Sequence, residues 1–497
     1  MLTRLRLNGL IGGHHKQHHI NARSASQHVA DKPLMPGHVH ETQSQVTPNL
    51  QMRKPEVNRN AAALLLSQAI RVNARQGPHQ RRLAVVNMTG RAYDNVPHQI
   101  IGNRAVLNHL YLARILSGIL LALLTGSLVY CVLAMLGAWR YRRSGAKQGL
   151  FYPPVSVLRP LAGSADNTEE NLRSLFSQQY PVFEILLSVH TPEDPAAGIA
   201  RRVMADFPHI PSRLIVAGPS PLPNAKVWSL RALLPEASYE HLVMSDSDIR
   251  HDPHCLSTVI AELEQPNIAL VTCPYRAVAG PRFWPRLEAL GLNTDFLAGM
   301  LTQRFLNGMD FAIGCTLATR QADLASIGGL EMMQRYLAED FIIGNRLHAK
   351  GRGVILSRHV IEHYIGNDPF LKNWKHRLRW ARSTRRSRRA GYIGEIFTKP
   401  FAISLLMWAV TPKALGLVIL ALMFRAGVAW STAFAILEDP LLERWWWLLP
   451  VEDVASFVTW CLGFFGKTIL WRDRELVIAP DGSFEMEPPP GEQLSSS

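Results

Sequence analysis

The sequence has few cysteines and no pattern among them that would build a cross-link. Five occur in 497 residues, and no two of them form a Cys-x-x-Cys pair. An odd and scattered set favours neither a disulfide framework nor a zinc site. The polar part of the chain is therefore expected in a reducing compartment.

Residues 1–110 have little negative charge and little apolar sequence. Fourteen Lys and Arg stand there against four Asp and Glu, which accounts for most of the net charge of +14. The apolar run 61–66 is too short to cross a bilayer. Low hydrophobicity with basic charge favours disorder, so we interpret 1–110 as a disordered basic extension. Aromatic residues are sparse in it, which argues against nucleic-acid binding.

Residues 115–139, a run of 25, carry no charge. This run is longer than the roughly 20 residues that a helix needs to cross a bilayer. Arg140, Arg142 and Arg143 follow at once, which places this end on the cytoplasmic side. We expect a transmembrane helix over 111–140 and a cytosolic domain after it. Apolar runs return over 398–470 and predict two to four further membrane helices. Residues 471–497 form a polar tail in this interpretation.

Residues 150–395 have the pattern of a soluble α/β domain. Short apolar runs at 154–158, 183–189, 213–217, 241–245 and 268–273 predict strands, and helical spacing occurs between several of them. Alternation of this kind indicates a mainly parallel sheet. Ligands of such sheets bind beyond the carboxyl ends of the strands, so polar residues that directly follow strands are the first candidates for a site.

Asp246 and Asp248 come directly after the strand predicted at 241–245. Two carboxylates at this spacing can share Mg²⁺ with phosphate oxygens. Such a cation would neutralise a leaving diphosphate. The Asp-x-Asp pattern also occurs in ordinary turns, so a structural role is an equal alternative on this pattern alone.

Glu339 and Asp340 form an acidic pair between apolar neighbours. A carboxylate beside an apolar wall can act as a general base toward a hydroxyl group. The alternative is structural, because acidic residues also stabilise the start of a helix such as the one predicted at 341–347.

The stretch 374–382, Trp-Lys-His-Arg-Leu-Arg-Trp-Ala-Arg, offers a fixed cation at Arg379 and a flat ring at Trp380. A guanidinium can bind a diphosphate through two hydrogen bonds. Residues 372–389 contain nine Lys and Arg and no acid, which is also typical of a helix on the surface of an anionic membrane. We expect one face of this helix to serve the site and the other to serve the lipid surface.

These motifs occur together with further ones in a fixed order: Val155-Ser-Val-Leu-Arg-Pro-Leu-Ala-Gly163, Asn224-Ala-Lys226, Ile313-Gly-Cys-Thr316, Gly328-Gly-Leu330 and His376-Arg-Leu-Arg-Trp380. The combination resembles family 2-type nucleotide-sugar glycosyltransferases. It is most similar to the ceramide glucosyltransferase family and its bacterial relatives, including hopanoid-biosynthesis glycosyltransferases. The resemblance covers about 150–395 and, more loosely, the flanking membrane segments.

The resemblance implies an α/β domain of GT-A fold with a mixed, mainly parallel sheet, flanked by N- and C-terminal transmembrane helices. It implies that Asp246 and Asp248 bind Mg²⁺ or Mn²⁺, that Lys226 lies near the nucleotide, and that Asp340 is the catalytic base. Arg379 and Trp380 would complete the donor and acceptor site. Glu339 and Cys315 lie within the shared motifs and are further candidates.

Two positions depart from the family pattern. His376 stands where the family usually has Gln or Arg, and it is retained as a candidate. Thr191 stands where the family places a carboxylate after its second strand. The nearest acids are Glu193 and Asp194, and Asp194-Pro195 matches the family pattern, so Asp194 is kept as a candidate for that contact with the nucleotide.

The function implied is inverting transfer of a hexose from a UDP-sugar to a lipid hydroxyl, in an integral, multi-pass membrane protein with a cytosolic catalytic domain. The bacterial inner membrane is the expected location. Ceramide and a hopanoid are both possible acceptors. The alternative, a processive polysaccharide synthase, usually has more membrane helices. The partners expected are the UDP-sugar, the lipid and the membrane, without nucleic acid.

Overall fold

A computed structural model describes residues 96–144, 151–164, 167–221, 223–466, 468–471, 474–479 and 482–485, with side chains from 108 onward. Its strands are β1 (Val155–Pro160), β2 (Phe183–Val189), β3 (Ser212–Val216), β4 (His241–Ser245), β5 (Ile249–Arg250), β6 (Ile268–Thr272), β7 (Tyr275–Val278), β8 (Thr316–Arg320), β9 (Gly353–Leu356), β10 (Ile361–Tyr364), β11 (Thr468–Trp471), β12 (Arg474–Ile478) and β13 (Phe484–Glu485).

The helices are α1 (Val96–Arg143), α2 (Thr168–Phe176), α3 (Pro195–Asp206), α4 (Ala225–Leu233), α5 (Cys255–Ala261), α6 (Phe283–Gly291), α7 (Leu297–Asn307), α8 (Gln321–Ser326), α9 (Glu339–Ala349), α10 (Phe370–Ser387), α11 (Arg389–Gly394), α12 (Pro400–Val410), α13 (Leu415–Ala429), α14 (Pro440–Trp445) and α15 (Leu449–Gly463). The segments Leu292–Phe296 and Trp430–Phe434 are π-helical.

A seven-stranded sheet forms the centre of the catalytic domain, in the order β3-β2-β1-β4-β8-β6-β9. Its pairs are parallel except those of β8, which runs antiparallel to β4 and β6. Every residue of β2 is buried, as expected of a strand covered by helices on both faces. The prediction of a GT-A domain with a mixed, mainly parallel sheet is confirmed, and all five predicted strands are present.

The pairing of β4 with β8 determines where the acidic residues lie. Ser245 at the end of β4 is opposite Thr316 at the start of β8. The loop that follows β4 therefore lies beside the residues that precede β8. A second sheet, β5-β10-β7, continues from this loop, with His363 opposite Ile249.

Two described helical segments are long and apolar enough to cross a membrane, Leu110–Arg143 and Pro412–Phe434. A third candidate is the bent pair Arg389–Thr398 and Pro400–Val410, which meet at 64°. Leu120 and Leu124 of α1 pack with Ile403 and Met407 of α12. Membrane helices at both ends of the catalytic domain were predicted, and their candidates are observed.

Some predicted boundaries differ from those observed. Helix α1 begins at Val96, so 96–110 is helical and does not belong to a disordered extension, while 1–95 lies outside the described residues. The segment assigned to a polar tail, 471–497, contains part of the small sheet β11-β12-β13. The remainder of that tail lies outside the described residues.

The contact between α1 and α7 can be tested by a substitution. A Cβ added at Gly137 would lie 2.7 Å from the carbonyl oxygen of Leu301, whereas one added at Gly118 meets nothing within 4 Å. Gly137→Ala should therefore destabilise the protein by about 1–3 kcal/mol, the usual cost of overpacking. Thermal unfolding in detergent measures it, with Gly118→Ala on the same helix as control. Equal stability of the two variants would contradict this interface.

Candidate active site

Asp246 and Asp248 lie in the loop that directly follows β4. Arg159, from the end of β1, is fully buried beneath this loop and donates to the carbonyl oxygens of Ser247 at 3.0 Å and Ile249 at 2.6 Å. A buried guanidinium supplies several fixed donors. The end of β1 therefore holds the backbone that presents the two carboxylates.

Lys226 joins this loop to the acidic pair at the start of α9. Its Nζ lies 2.7 Å from Asp246 Oδ1, 2.8 Å from Glu339 Oε1 and 3.2 Å from the carbonyl oxygen of Gly314. Burial alone would lower the pKa of Lys226, but the carboxylates raise it well above its usual value. Lys226 is therefore a fixed cation between two separate segments of the chain.

Asn224 positions Lys226 and Glu339 together. Its side-chain oxygen accepts from Val227 N and caps α4, while its Nδ2 donates to the Tyr336 carbonyl at 2.8 Å and to Glu339 Oε2 at 3.2 Å. Capping fixes the start of α4. It therefore fixes the first turn of this helix, which carries Lys226.

Asp340 stands in the first turn of α9, with its carboxyl group against Gly314. A Cβ at Gly314 would lie 2.9 Å from Asp340 Oδ2, so the close approach requires glycine there. Burial, followed by the charge of Glu339, raises the pKa of Asp340 to about 7, and Lys226 opposes this rise. Asp340 can therefore exchange a proton near neutral pH.

The two loop carboxylates differ in their surroundings. Burial raises the pKa of Asp246 to about 6, against the opposing effect of Lys226. Burial also acts to raise the pKa of Asp248, but His363, at 3.2 Å from Asp248 Oδ2, outweighs it and the pKa lies below its usual value. Asp248 is thus the carboxylate more readily ionised.

Aromatic side chains connect the loop to α10. The rings of His363 and Tyr275 are 5.1 Å apart, those of Tyr275 and Phe296 5.5 Å, and those of Phe296 and Trp380 6.3 Å. Such edge and tilted contacts are favourable for aromatic rings. Trp380 is therefore connected to His363, the partner of Asp248, through the rings of Phe296 and Tyr275.

The basic run of α10 divides into structural and unpaired side chains. His376 Nδ1 is 3.1 Å from Glu288 Oε1, and Arg377 pairs with Glu452 of α15. These two residues attach α10 to its neighbours. Arg379 is half-buried and has no hydrogen-bond partner among the described residues, and burial lowers its pKa to about 10. Of these three, Arg379 is available to an anionic ligand.

Asp194 and Cys315 have structural partners close to the site. Asp194 Oδ1 accepts from Gly163 N and Ala196 N, both at 2.9 Å, and so ties the start of α3 to the loop after β1. The buried Cys315 accepts from Asp246 N through its carbonyl oxygen at 3.1 Å. Both residues support the loops of the site, and a contact of Asp194 with nucleotide stays a prediction.

A cleft of about 570 Å³ opens beside the loop after β4. Its lining includes Asn167, Asn171, Ser247, Asp248, Arg282 and Lys372. Pockets for small ligands commonly measure about 300–1,000 Å³. The cleft has the size, the basic side chains and the carboxylate that a nucleoside diphosphate with a cation requires.

The carboxylates fit a divalent cation that takes part of its coordination from a ligand. Asp248 Oδ1 is buried and has no hydrogen-bond partner among the described residues. A buried carboxylate oxygen without a partner is costly unless a donor or cation meets it. No group of three or more His, Cys, Asp or Glu within the described residues could hold a metal by itself. Asp246 and Asp248 would therefore share the ion with diphosphate oxygens and water.

Several site residues were not predicted from the sequence. Arg159 and Asn224 belong to motifs noted there, but nothing in their spacing indicated that they brace the site. His363 lies in a short strand far along the chain from Asp248, and no local pattern singles it out. The pairing of β10 with β5 creates its contact with Asp248.

The profile of glycosyl transferase family 21 matches residues 119–484. The chain belongs to this family. The matched region includes every site residue discussed above, from Arg159 to Trp380.

Similar proteins include ceramide glucosyltransferases. Ceramide glucosyltransferase 1 of Caenorhabditis elegans is 29% identical over 42% of this chain and 44% of its own length. Ceramide glucosyltransferase 3 of the same organism is 26% identical over 43% and 46%. The ceramide glucosyltransferase of Komagataella phaffii is 23% identical over 67% and 83%. The matches thus span less than half of each nematode relative.

Solved structures with similarity include a mannosyltransferase of Pyrobaculum calidifontis in complex with GDP-mannose and Mn²⁺. It is 19% identical with a TM-score of 0.43, over 70% of this chain and 99% of that one. A Staphylococcus aureus TarS fragment in complex with UDP-GlcNAc is 14% identical with a TM-score of 0.33, over 67% and 99%.

Because one oxygen of Asp248 has no partner among the described residues, we expect that a variant without this carboxylate binds the cation more weakly. Asp248→Asn removes one charge and should weaken Mn²⁺ binding in the presence of UDP by about 10–100-fold or more, since even indirect supports of a metal contribute that much. Calorimetric titration of the purified protein measures it. Asp252→Asn, near the same loop but paired with His359 at 2.8 Å, is the matched control. Unchanged Mn²⁺ affinity in Asp248→Asn would refute the assignment.

Proposed function

We propose that the protein transfers a hexose from a UDP-sugar to the hydroxyl group of a membrane lipid of the ceramide type, with inversion at the sugar carbon. The observation that carries this proposal is the convergence of Asp246, Lys226, Glu339 and Asp340, in which one lysine holds the metal-binding loop beside a carboxyl group of pKa about 7. This arrangement supports a role for Asp340 as a base beside a site for a diphosphate.

The donor would occupy the cleft beside Asp248. Arg282 and Lys372 line this cleft. Lys372 is paired at 2.9 Å with Asp368, which also lines the cleft, so Arg282 would be the main cation there for the phosphates. The half-buried Arg379 provides a third cation, whose low exposure would strengthen its attraction to the diphosphate. A divalent cation held by Asp246 and Asp248 would supply further neutralisation of the leaving group.

Asp340 would act as the general base. Its carboxylate accepts the proton of the acceptor hydroxyl while that oxygen forms a bond to the anomeric carbon. The bond from this carbon to the diphosphate oxygen breaks, and UDP leaves with the electron pair. A single displacement from the opposite face inverts the configuration. Lys226 would remain protonated, and its charge would hold Asp246 and Glu339 in place.

The lipid acceptor is supported by the membrane helices and by the relatives. The matched relatives are named ceramide glucosyltransferases, which favours a ceramide-type lipid over a hopanoid. The described residues contain two candidate spans, or three if the bent pair is one. This number favours single transfer to a lipid over polymer export. Arg140, Arg142 and Arg143 after the first span support a cytosolic site.

Asp340→Asn tests the base directly. The amide keeps the shape of the side chain but cannot accept the proton, so the transfer rate should fall at least about 100-fold, the lower end of a general base's contribution. UDP binding should persist. Mass spectrometry of glycolipid formed from labelled UDP-sugars measures transfer, and Asp206→Asn on the exposed end of α3 is the control. Full activity of Asp340→Asn would overturn the proposal.

The pH dependence provides a second test. Only the ionised form of Asp340 is a base, so kcat/KM for the acceptor should rise with pH to a plateau above about 7. Glu339→Gln removes a neighbouring negative charge and releases Lys226, and both changes lower the pKa of Asp340. The midpoint should therefore move to lower pH in this variant. A midpoint that does not move would show that another group limits the rate.

A further inference from the structure

Three arginines surround a second cavity at the end of the basic helix. This cavity, of about 250 Å³, is lined by Arg385, Arg386, Arg389, Ile393 and Phe464. Its volume is several times the roughly 30 Å³ that one water molecule occupies. Among the described residues no carboxylate contributes to its lining, so the cavity brings three positive charges together.

Some side chains of this basic cluster form hydrogen bonds within the protein. Arg385 donates to the carbonyl oxygens of Phe464 and Gly466, the latter at 2.7 Å, and Arg382 donates to Phe465 at 3.0 Å. These bonds fix the chain beyond the end of α15, where cations are favourable. They also bring Phe464 to the wall of the cavity.

Other donors of the cluster remain unpaired. The Nε atoms of Arg385 and Arg386 are buried and have no partner among the described residues. Buried donors without an acceptor are rare in folded proteins and call for a ligand or an ion. Glu395, the acid that follows this segment, interacts with Lys399 and Arg388 and does not line the cavity.

The rim of the cavity is apolar and exposed. Ile393 is 55% exposed, and Phe465, which adjoins the wall, is 69% exposed. Exposed large apolar side chains beside basic ones are typical of a membrane interface. An anionic lipid head group would fit at the arginines, and hydrocarbon chains would fit at the rim.

The position of the cavity along the membrane helices supports this interpretation. Arg389 and Ile393 belong to the segment Arg389–Thr398, one arm of the bent candidate span. Phe397 of this segment packs against Gly126 of α1, where an added Cβ would lie 2.6 Å from the phenyl ring. The segment therefore lies directly beside a candidate span, where phospholipids would surround it.

We propose that this cavity binds the phosphate of an anionic phospholipid, with Arg386 and Arg389 as its main donors and the acyl chains against Ile393 and Phe465. This site is separate from the sugar-donor cleft. It would anchor the end of α10, the helix that carries Arg379 and Trp380, to the lipid surface.

Native mass spectrometry of the detergent-purified full chain, incubated with equal amounts of phosphatidylcholine and phosphatidylglycerol, tests the proposal. The wild-type protein should retain phosphatidylglycerol preferentially. Arg386→Gln with Arg389→Gln should reduce this preference at least about tenfold, because each basic residue near an anionic surface contributes roughly a fivefold change. UDP binding should be unaffected in this variant, which shows that the fold is intact.

Arg142→Gln with Arg143→Gln is the matched control, since it removes the same charge from exposed positions at the end of α1. It should keep the lipid preference. An equal loss in the control would mean that general surface charge attracts the lipid, and would overturn the proposed cavity. Displacement of the lipid by an equal concentration of inorganic phosphate would identify a site for free anions and would also overturn it.

Discussion

The contact on which the site depends is the one made by the Lys226 ammonium group. It meets a carboxylate of the loop after β4, a carboxylate of α9 and the backbone that precedes β8. Burial by itself favours the neutral form of each acid, and the ionised forms would repel each other across the site. One fixed cation offsets the repulsion between these carboxylates, so removal of Lys226 would disturb the loop, α9 and the acid–base properties of Asp340 together.

Buried charge also joins the catalytic domain to the membrane helices. Arg425 in the second candidate span contacts Asp295 at 2.9 Å and Asp453 at 2.7 Å, and Lys399 contacts Asp295 at 3.1 Å. Arg377 of α10 pairs with Glu452, the neighbour of Asp453 on α15. Ionisable groups in such surroundings are stable when paired. This network fixes α10 relative to the spans, which matters for the proposed reaction, in which a lipid hydroxyl reaches Asp340 from the bilayer.

The basic run of α10 serves several purposes because successive side chains of a helix point in different directions. Arg377 pairs with an acid of α15. Arg379 has no hydrogen-bond partner among the described residues. Arg382 donates to the backbone that follows α15. Arg386 reaches the second cavity. A surplus of positive charge in one short segment therefore does not define one function, since each position meets a different neighbour. The same argument explains why His376, in a position where the family usually has Gln or Arg, can act by holding Glu288.

The sequence by itself determined the strands of the catalytic domain, the first membrane helix and most of the site, because periodicity, long uncharged runs and acidic pairs after strands are local signals. It indicated Asp246, Asp248 and Asp340, each with a structural alternative, while Lys226 was indicated only by the family resemblance. The tertiary structure decided which residues meet: strand pairing brings His363 to Asp248, and the pairing of β8 with β4 brings Gly314 within reach of Asp340 and Lys226. Such contacts join residues far apart in the chain, and local sequence contains no information on their register.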